Sequence, residues 1–142
     1  MLGNLYETQN CSASRALEIV GERWSLLILR DAMFAGCTRF SQFQKSLGVA
    51  TNILAKRLAD FVDAGLMEHR PGEPSEYVLT RKGLELLPTI LALTEWGERW
   101  VRPGPIFYGD RADGAAVGLQ LRRRDNDQQL DVADVVAVLK AP

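Results

Sequence analysis

The sequence is poor in the residues on which most catalytic and metal sites depend. It has one histidine, His69, and two cysteines, Cys11 and Cys37, without a CxxC or Cys/His spacing. Zinc sites and disulfide scaffolds both need more such residues. A glycine-rich phosphate loop and a Gly-x-Ser-x-Gly motif are also missing. We therefore expect no enzyme, no metal site and no cofactor.

Long apolar runs are missing as well. Runs such as residues 26–29 are far shorter than the ~18 residues that cross a bilayer. The amino-terminal residues do not show the basic segment followed by an apolar one that marks a secretory signal. We therefore expect no membrane partner and no export, and a location in the reducing cytoplasm.

The chain also has little net charge. Its 17 Lys and Arg residues nearly balance 18 Asp and Glu residues, which leaves a formal charge of −1. Composition alone therefore does not favour a nucleic-acid partner. The distribution is uneven, however, because residues 39–57 contain four cations and no Asp or Glu, namely Arg39, Lys45, Lys56 and Arg57. This segment is expected to carry a local positive field.

Apolar residues with helical spacing predict four helices in the first half of the chain. The first begins near residue 12 and ends at Gly21, and the second covers residues 23–34. Thr38 is the expected N-cap of a short third helix, and Thr51 is that of the fourth. The fourth helix is expected to bury Leu54, Leu58, Phe61 and Val62.

The sequence period changes after the fourth helix. Residues 66–70 and 76–79 flank a Pro-Gly-Glu-Pro turn, which predicts a β-hairpin. Thr80 is then the expected cap of a long fifth helix that reaches about Trp100. Apolar residues occupy more than one face of this helix, so a single domain does not easily cover them all.

The composition shifts at Pro103, where Pro and Gly residues indicate a linker. Residues 117–121 alternate as a strand does, and Val132, Val135, Val136 and Leu139 suggest a last helix behind Asp131. The predicted domains are therefore residues 1–102 and a C-terminal appendage, residues 103–142, of strand, turn, strand and helix. The predicted fold class is mainly α with a small β-hairpin wing (α+β), followed by a C-terminal extension.

Tandem helices, a short turn into a helix whose start lacks acids, and a two-stranded hairpin are the order of a winged helix-turn-helix. Such a fold places the fourth helix in the major groove of duplex DNA, where Asn pairs with adenine and Arg or Lys with guanine. The predicted contacts from this helix are Thr51, Asn52, Lys56 and Arg57. The third helix would offer Arg39, Ser41, Gln42 and Lys45 to phosphates, and the wing would add Arg70.

The sequence resembles the HxlR-type regulators, a branch related to MarR, across about residues 11–101. The resemblance rests on Cys11, Arg15, Ala16, Leu17, GERWSLLILRD at 21–31, Arg39, Phe40, Leu47, Asn52, Leu54, Arg57, Leu58, and residues 64–66, 77–80 and 82–83. It implies a winged-helix homodimer that binds a pseudo-palindromic operator through the fourth helix and the wing. The loop at 71–74 is shorter than in many members, and the tail after Pro103 is longer.

The long fifth helix agrees with a homodimer. Its surplus apolar surface is what a twofold interface buries, and twofold symmetry would match two DNA half-sites. The residues expected to form this interface are Leu84, Leu87, Leu91, Trp96 and Trp100. The alternative is that the tail after Pro103 covers the same surface within one chain.

Cys11 offers a third hypothesis. Some HxlR-type proteins sense oxidants or electrophiles through a cysteine at this position, and a thiol at a helix N-terminus near Arg15 would have its thiolate favoured. A small-molecule or oxidant effector is then a partner, with Trp24 and Trp96 as further candidates for its site. The remaining alternative is a winged-helix dimer that serves only as a protein-interaction module, without DNA binding.

Overall fold

The computed structural model describes residues 6–142, which divide into two compact units. The first unit ends at Ile90 and the second begins at Leu91. The sequence placed the boundary later, after residue 102. It lies within a helix because two glutamates of that helix hold the following loops. Glu98 Oε1 accepts from the N–H of Gly104 at 2.7 Å, and Glu95 Oε1 accepts from the N–H of Leu119 at 2.8 Å.

The first unit begins with four helices, as predicted. They are α1 (Ser12–Val20), α2 (Ser25–Phe34), α3 (Phe40–Leu47) and α4 (Thr51–Asp63). Gly48 ends α3 in the left-handed conformation at φ 65°, which glycine adopts without a steric penalty. The largest buried side chains come from three of these helices: Ile28, Leu29, Phe43, Leu54, Leu58 and Phe61. Val62, expected in the same core, is half-buried.

The predicted hairpin is present as an antiparallel pair, β1 (Met67–Arg70) and β2 (Glu76–Leu79). Its register pairs Met67 with Leu79 and Arg70 with Glu76. The N–H of Tyr77 also donates to the carbonyl of Thr38 at 2.7 Å, which joins the hairpin to the segment just before α3. The wing is therefore anchored directly beside the helix-turn-helix.

The predicted long fifth helix is wrong in one respect, because it is two helices. A short helix, α5 (Arg81–Leu84), is followed by a turn and then by α6 (Leu87–Trp100). Pro88 explains the break, since proline has no N–H to donate and its ring clashes with the carbonyl four residues earlier, at Leu84. Thr80 caps α5 as expected, and its Oγ1 accepts from the N–H of Gly83 at 3.2 Å.

The second unit contains the rest of α6, an isolated β-bridge between Gly109 and Ala116, and a hairpin whose strands have two residues each. These strands are β3 (Leu121–Arg122) and β4 (Gln129–Leu130). The expected last helix is only a single 3-10 turn, Val132–Asp134, after which residues 135–142 belong to no helix or strand. The valines at 132, 135, 136 and 138 are β-branched and disfavour a helix. Within residues 6–142, none of the helices combines the length and apolarity of a membrane span.

Candidate nucleic-acid interface

Helix α4 presents two different faces. Leu54, Leu58 and Phe61 point into the core, whereas Asn52 and Lys56 are exposed. Both exposed residues were predicted as DNA contacts, and they lie one turn apart on the same side of the helix. The structure therefore presents their polar groups to solvent at the start of the helix.

Thr51 is also exposed, but it is not the cap that the sequence suggested. It is the first residue of α4, and Ala50 occupies the N-cap position. Without a side-chain cap, the first N–H groups of α4 have no acceptor from the Ala50 side chain. A phosphate oxygen is a suitable acceptor for such groups.

The structure does not place Arg57 on the exposed face of α4, where the sequence predicts a DNA contact. Its side chain is buried, with 5% exposed, and its Nη2 lies 3.2 Å from Asp60 Oδ2. Its Nε lies 3.9 Å from Glu22 Oε2 in the segment between α1 and α2. Position 57 follows Leu54 by three residues and precedes Phe61 by four, so helical spacing places it inside the apolar stripe. Arg57 therefore links α4 to the segment between α1 and α2.

The predicted phosphate contacts on α3 are exposed: Arg39, Ser41, Gln42 and Lys45. Gln42 has a second role, because its Oε1 accepts from the N–H groups of Thr38 at 2.9 Å and Arg39 at 3.0 Å. The N-cap residue is Arg39 and not Thr38, and the amide of Gln42 satisfies the start of the helix instead. Only the Nε2 group of Gln42 is then available to a phosphate.

Arg70 at the end of β1 is exposed, as the wing hypothesis requires. Its Nη2 lies 3.7 Å from Glu68 Oε2, and both side chains are more than half exposed. Surface pairs of this kind typically contribute less than about 1 kcal/mol, so a phosphate can displace the glutamate. The guanidinium is therefore accessible on the wing.

Two alanines on α4 were missed by the sequence reasoning. Ala55 and Ala59 are exposed and follow Asn52 by three and seven residues, so they share its face. Small side chains allow a helix to approach the floor of a groove closely, and an alanine methyl can contact the thymine methyl. Their spacing from Asn52 was the available signal.

A buried carboxylate that the sequence reasoning also missed braces α3. Asp31 on α2 is buried, and its Oδ2 accepts from Ser46 Oγ on α3 at 2.6 Å. Its Oδ1 pairs with Arg30, whose Nη2 lies 2.8 Å away. Because a buried carboxylate needs such partners, this contact fixes the position of α3 against α2.

Comparison with known proteins accounts for this arrangement of helices and hairpin. The family model described as HxlR-like helix-turn-helix matches residues 19–105. The chain belongs to this family. The family resemblance and the winged helix-turn-helix fold read from the sequence are therefore both confirmed.

Among curated relatives, the HTH-type transcriptional regulator Rv3095 of Mycobacterium tuberculosis is 45% identical over 100 residues. The match covers 66% of this chain and 63% of that relative, which is thus considerably longer than the matched region. The related proteins are transcriptional regulators and not enzymes, in agreement with the expectation from the sequence.

Among solved structures, PA1607, described as a candidate transcription factor, is 40% identical with a TM-score of 0.81, and the match covers 92% of this chain and 96% of that one. The reduced form of the Bacillus subtilis regulator YodB is 26% identical with a TM-score of 0.54, covering 68% and 99%. Its quinone-bound form is 25% identical with a TM-score of 0.55, covering 62% and 97%.

The two thiols of this HxlR-like chain differ in their surroundings. Cys11 is exposed at the N-cap of α1, where the backbone amides of Ser14 and then Ala13 favour the thiolate and lower its pKa. From the sequence, a lowered pKa of Cys11 was expected partly from nearby Arg15. The cause in the structure is the backbone amides of the first helical turn. Cys37 is buried, and this burial raises its pKa.

The residues expected to form the dimer interface divide into three groups. Trp96 and Trp100 are 61% and 66% exposed, and Leu84 is also exposed. Leu87 is half-buried. Leu91 is only 3% exposed, so its side chain is already covered within a single chain. The sequence could not tell which of these apolar residues turn inward, because they lie on several faces of the helix.

Two leucines outside the expected set are also exposed, one in each unit. Leu93 on α6 is exposed. Leu17 on α1 is exposed too, and Val20 is the one buried residue of that helix. Each of these two helices thus presents apolar side chains that a single chain leaves uncovered.

Proposed function

We propose that the protein regulates transcription as a homodimer that binds a pseudo-palindromic DNA operator, with α4 of each subunit in the major groove. The observation that carries this proposal is the outward face of α4, where Asn52 and Lys56 alternate with Ala55 and Ala59. This face presents two polar side chains separated by small ones, which suits a helix that enters a groove.

Each side chain then has a defined task. Asn52 hydrogen-bonds the edge of an adenine, and Lys56 contacts a guanine edge or a phosphate. Arg39, Ser41 and Lys45 on α3 contact phosphates and set the orientation of the protein without reading sequence. Of the other predicted contacts, Thr51, Gln42 and Arg70 serve as backbone or phosphate contacts in this proposal. Only Arg57 is left out.

The homodimer supplies a second recognition helix, the α4 of the other subunit. The exposed tryptophans of α6, Trp96 and Trp100, together with Leu93, offer the apolar anchors that dominate such interfaces. A twofold axis then places the two α4 helices about 34 Å apart, one turn of B-DNA. This geometry is the reason for expecting a pseudo-palindromic operator.

A protein-interaction module is the second candidate, favoured by the net charge of −1 and the exposed face of α6. The dependence of binding on salt concentration distinguishes the DNA-binding function from the protein-interaction function. Binding that depends on phosphate contacts weakens steeply as ionic strength rises, because each contact releases condensed counterions. An apolar protein interface is far less sensitive to salt.

Replacing Asn52 with alanine is expected to weaken operator binding by about 1 to 3 kcal/mol and to relax specificity at one base pair. Lys56→Ala is expected to weaken all duplexes alike and to reduce the slope of log K against log salt by about 1. Fluorescence anisotropy with duplexes selected from a random pool measures both effects.

Arg81→Ala is a suitable control for these variants, because Arg81 is an exposed cation that lies on α5, outside α3, α4 and the wing. Its Nε lies 3.2 Å from Oε1 of Glu85. It should bind like the parent protein. If Asn52→Ala and Lys56→Ala also bound like the parent while retaining their circular dichroism, the DNA-binding proposal would be refuted.

Oxidant or electrophile sensing through Cys11 is a proposed regulatory layer. Its support is the exposed thiol with a lowered pKa, together with the likeness to YodB in its reduced and quinone-bound forms. A thiolate is the nucleophile in reactions with quinones. Modification at the N-cap of α1 would alter the helix that carries the exposed Leu17.

Iodoacetamide at neutral pH is expected to alkylate Cys11 well before Cys37, because Cys11 is exposed with its pKa below the usual thiol range and Cys37 is buried with its pKa raised. Peptide mass spectrometry measures both rates. Treatment with a quinone should also reduce DNA binding of the parent but not of Cys11→Ser. An unchanged quinone response in Cys11→Ser would rule out this thiol as the sensor.

A further inference from the structure

The second unit has almost no core of its own. Of residues 91–142, all of which the structure describes, Leu91 alone is buried. Its loops nevertheless have defined turns, such as the N–H of Asp110 donating to the carbonyl of Ala115 at 2.7 Å, and that of Val117 to Tyr108 at 2.8 Å. A segment with defined turns and so much exposed apolar surface requires a cover from outside the chain.

The largest uncovered apolar segment is the end of the chain. The residues 135–140, here called the tail strand, follow the 3-10 turn without forming a helix, and Val135 is extended at φ −98° and ψ 130°. Val136 is 77% exposed and Leu139 is 96% exposed. In the described part of the chain, hydrogen bonds from other residues to the tail strand are absent. Its sequence, VVAVLK, has the residue types that favour a strand against an apolar surface.

The same unit contains an open groove along α6. Its volume is about 450 Å³, within the range of sites that hold a small molecule or a few side chains. Leu91, Glu95 and Glu98 on α6 form one wall, and Ile106 and Phe107 are among the apolar residues opposite. Ile106 and Phe107 are both exposed, so the groove is unfilled in a single chain.

We propose that the tail strand of one subunit fills this groove in a second copy of the chain, and that the second copy returns the same contact. This inference rests on the homodimer of the proposed function and adds the segment that closes it. The second unit of each chain holds both an unfilled groove and an uncovered apolar segment, so a reciprocal exchange about a twofold axis satisfies both.

Two observations favour a second copy as the occupant. Lys140 is the only cation in residues 131–142, and the groove lining contains two carboxylates, Glu95 and Glu98, against one cation, Arg99. Helix α6 provides both a wall of the groove and the exposed tryptophans, so one helix would make both contacts with the second copy. The tail strand does not lie in the groove of its own chain, because its side chains are exposed there.

Sedimentation equilibrium of the full chain and of a chain that ends at Asp131 tests the proposal. The truncation is expected to raise the Kd of the dimer about 10- to 100-fold, since several buried valine and leucine side chains are lost. Leu139→Asp and Val136→Asp should each act in the same direction. Ala112→Asp, in an exposed turn of the same unit, is the control and should leave the Kd unchanged.

A cross-link distinguishes exchange from folding back. Phe107→Cys and Val136→Cys are placed on separate chains of different mass, both in a Cys11→Ser background, and oxidised glutathione accepts the two electrons of the bond. A disulfide between the two chains is expected. If the two cysteines placed in one chain instead form a disulfide within a monomer, the exchange is refuted.

The remaining outcomes are also informative. An unchanged Kd in the truncated chain and in both aspartate variants refutes the tail contact, whereas DNA binding by these proteins would leave the proposed function intact. The dye 1-anilinonaphthalene-8-sulfonate should bind the groove of the truncated chain and not that of the full dimer. Equal dye binding by both would show a groove open to small molecules and overturn the proposal.

Discussion

Arg57→Ala is expected to lower the free energy of unfolding by about 3 kcal/mol, because the half-buried carboxylates of Asp60 and Glu22 lose the buried cation between them. Arg57 is 6% exposed at its side chain, against 13% for Asp60 and 21% for Glu22. Since the two carboxylates retain some contact with water, the effect should lie near the lower end of the range for buried pairs. Urea denaturation measures it.

Lys56→Ala is the matched control for this prediction. Lys56 is adjacent in sequence and its Nζ lies 3.8 Å from the same Asp60 carboxylate, but its side chain is 55% exposed. Its removal should change the unfolding free energy by less than about 0.5 kcal/mol. If Arg57→Ala unfolded like the parent protein yet lost DNA binding, the internal position of Arg57 would be disproved.

The contrast between these neighbours shows what the sequence could predict about α4. The apolar spacing of Leu54, Leu58 and Phe61 defined the inner face, and therefore also the outer face with Asn52 and Lys56. Arg57 fell within the inner face, but a basic residue there was taken as solvated. Inside the fold it pairs with Asp60 on the same helix and with Glu22, which is distant in sequence and reaches it only in the folded chain.

The second half of the chain was less predictable for a different reason. The spacing of Val132, Val135, Val136 and Leu139 is that of one face of a helix, yet the chain there forms a 3-10 turn and then no helix. Helical spacing specifies a helix only when an apolar surface is present to bury that face, and β-branched residues have little intrinsic preference for one. The break at Pro88 was visible in the sequence as a missing hydrogen-bond donor.

The dimer residues show the limit of periodicity most clearly. Trp96 and Leu91 both belong to the apolar set of α6, but one is exposed and the other buried. A helix with apolar residues on several faces does not reveal which face meets its own chain. That choice is made by tertiary contacts, so the predicted set contained members of both kinds.

Gly83 on α5 illustrates a requirement that no pattern in the sequence revealed. A Cβ at this position would lie 2.2 Å from the carbonyl oxygen of Leu66 and 2.9 Å from Cδ2 of Leu79. The same carbonyl accepts from the N–H of Thr80 at 3.0 Å. This hydrogen bond holds the carbonyl in place at the base of the hairpin, between the end of α4 and the start of α5. A backbone atom so fixed cannot move aside at low cost.

Gly83→Ala is therefore expected to lower the free energy of unfolding by about 2 to 4 kcal/mol, although alanine itself favours a helix by about 1 kcal/mol over glycine. The clash should displace α5 from the hairpin and weaken the hydrogen bond between Thr80 and Leu66. Gly97→Ala in α6 is the control, because a Cβ there has no atom within 4 Å, and it should instead stabilise the protein by about 0.5 to 1 kcal/mol. Thermal denaturation of both variants measures the contrast, and a Gly83→Ala protein at least as stable as the parent would disprove this close approach of α5 to the base of the wing.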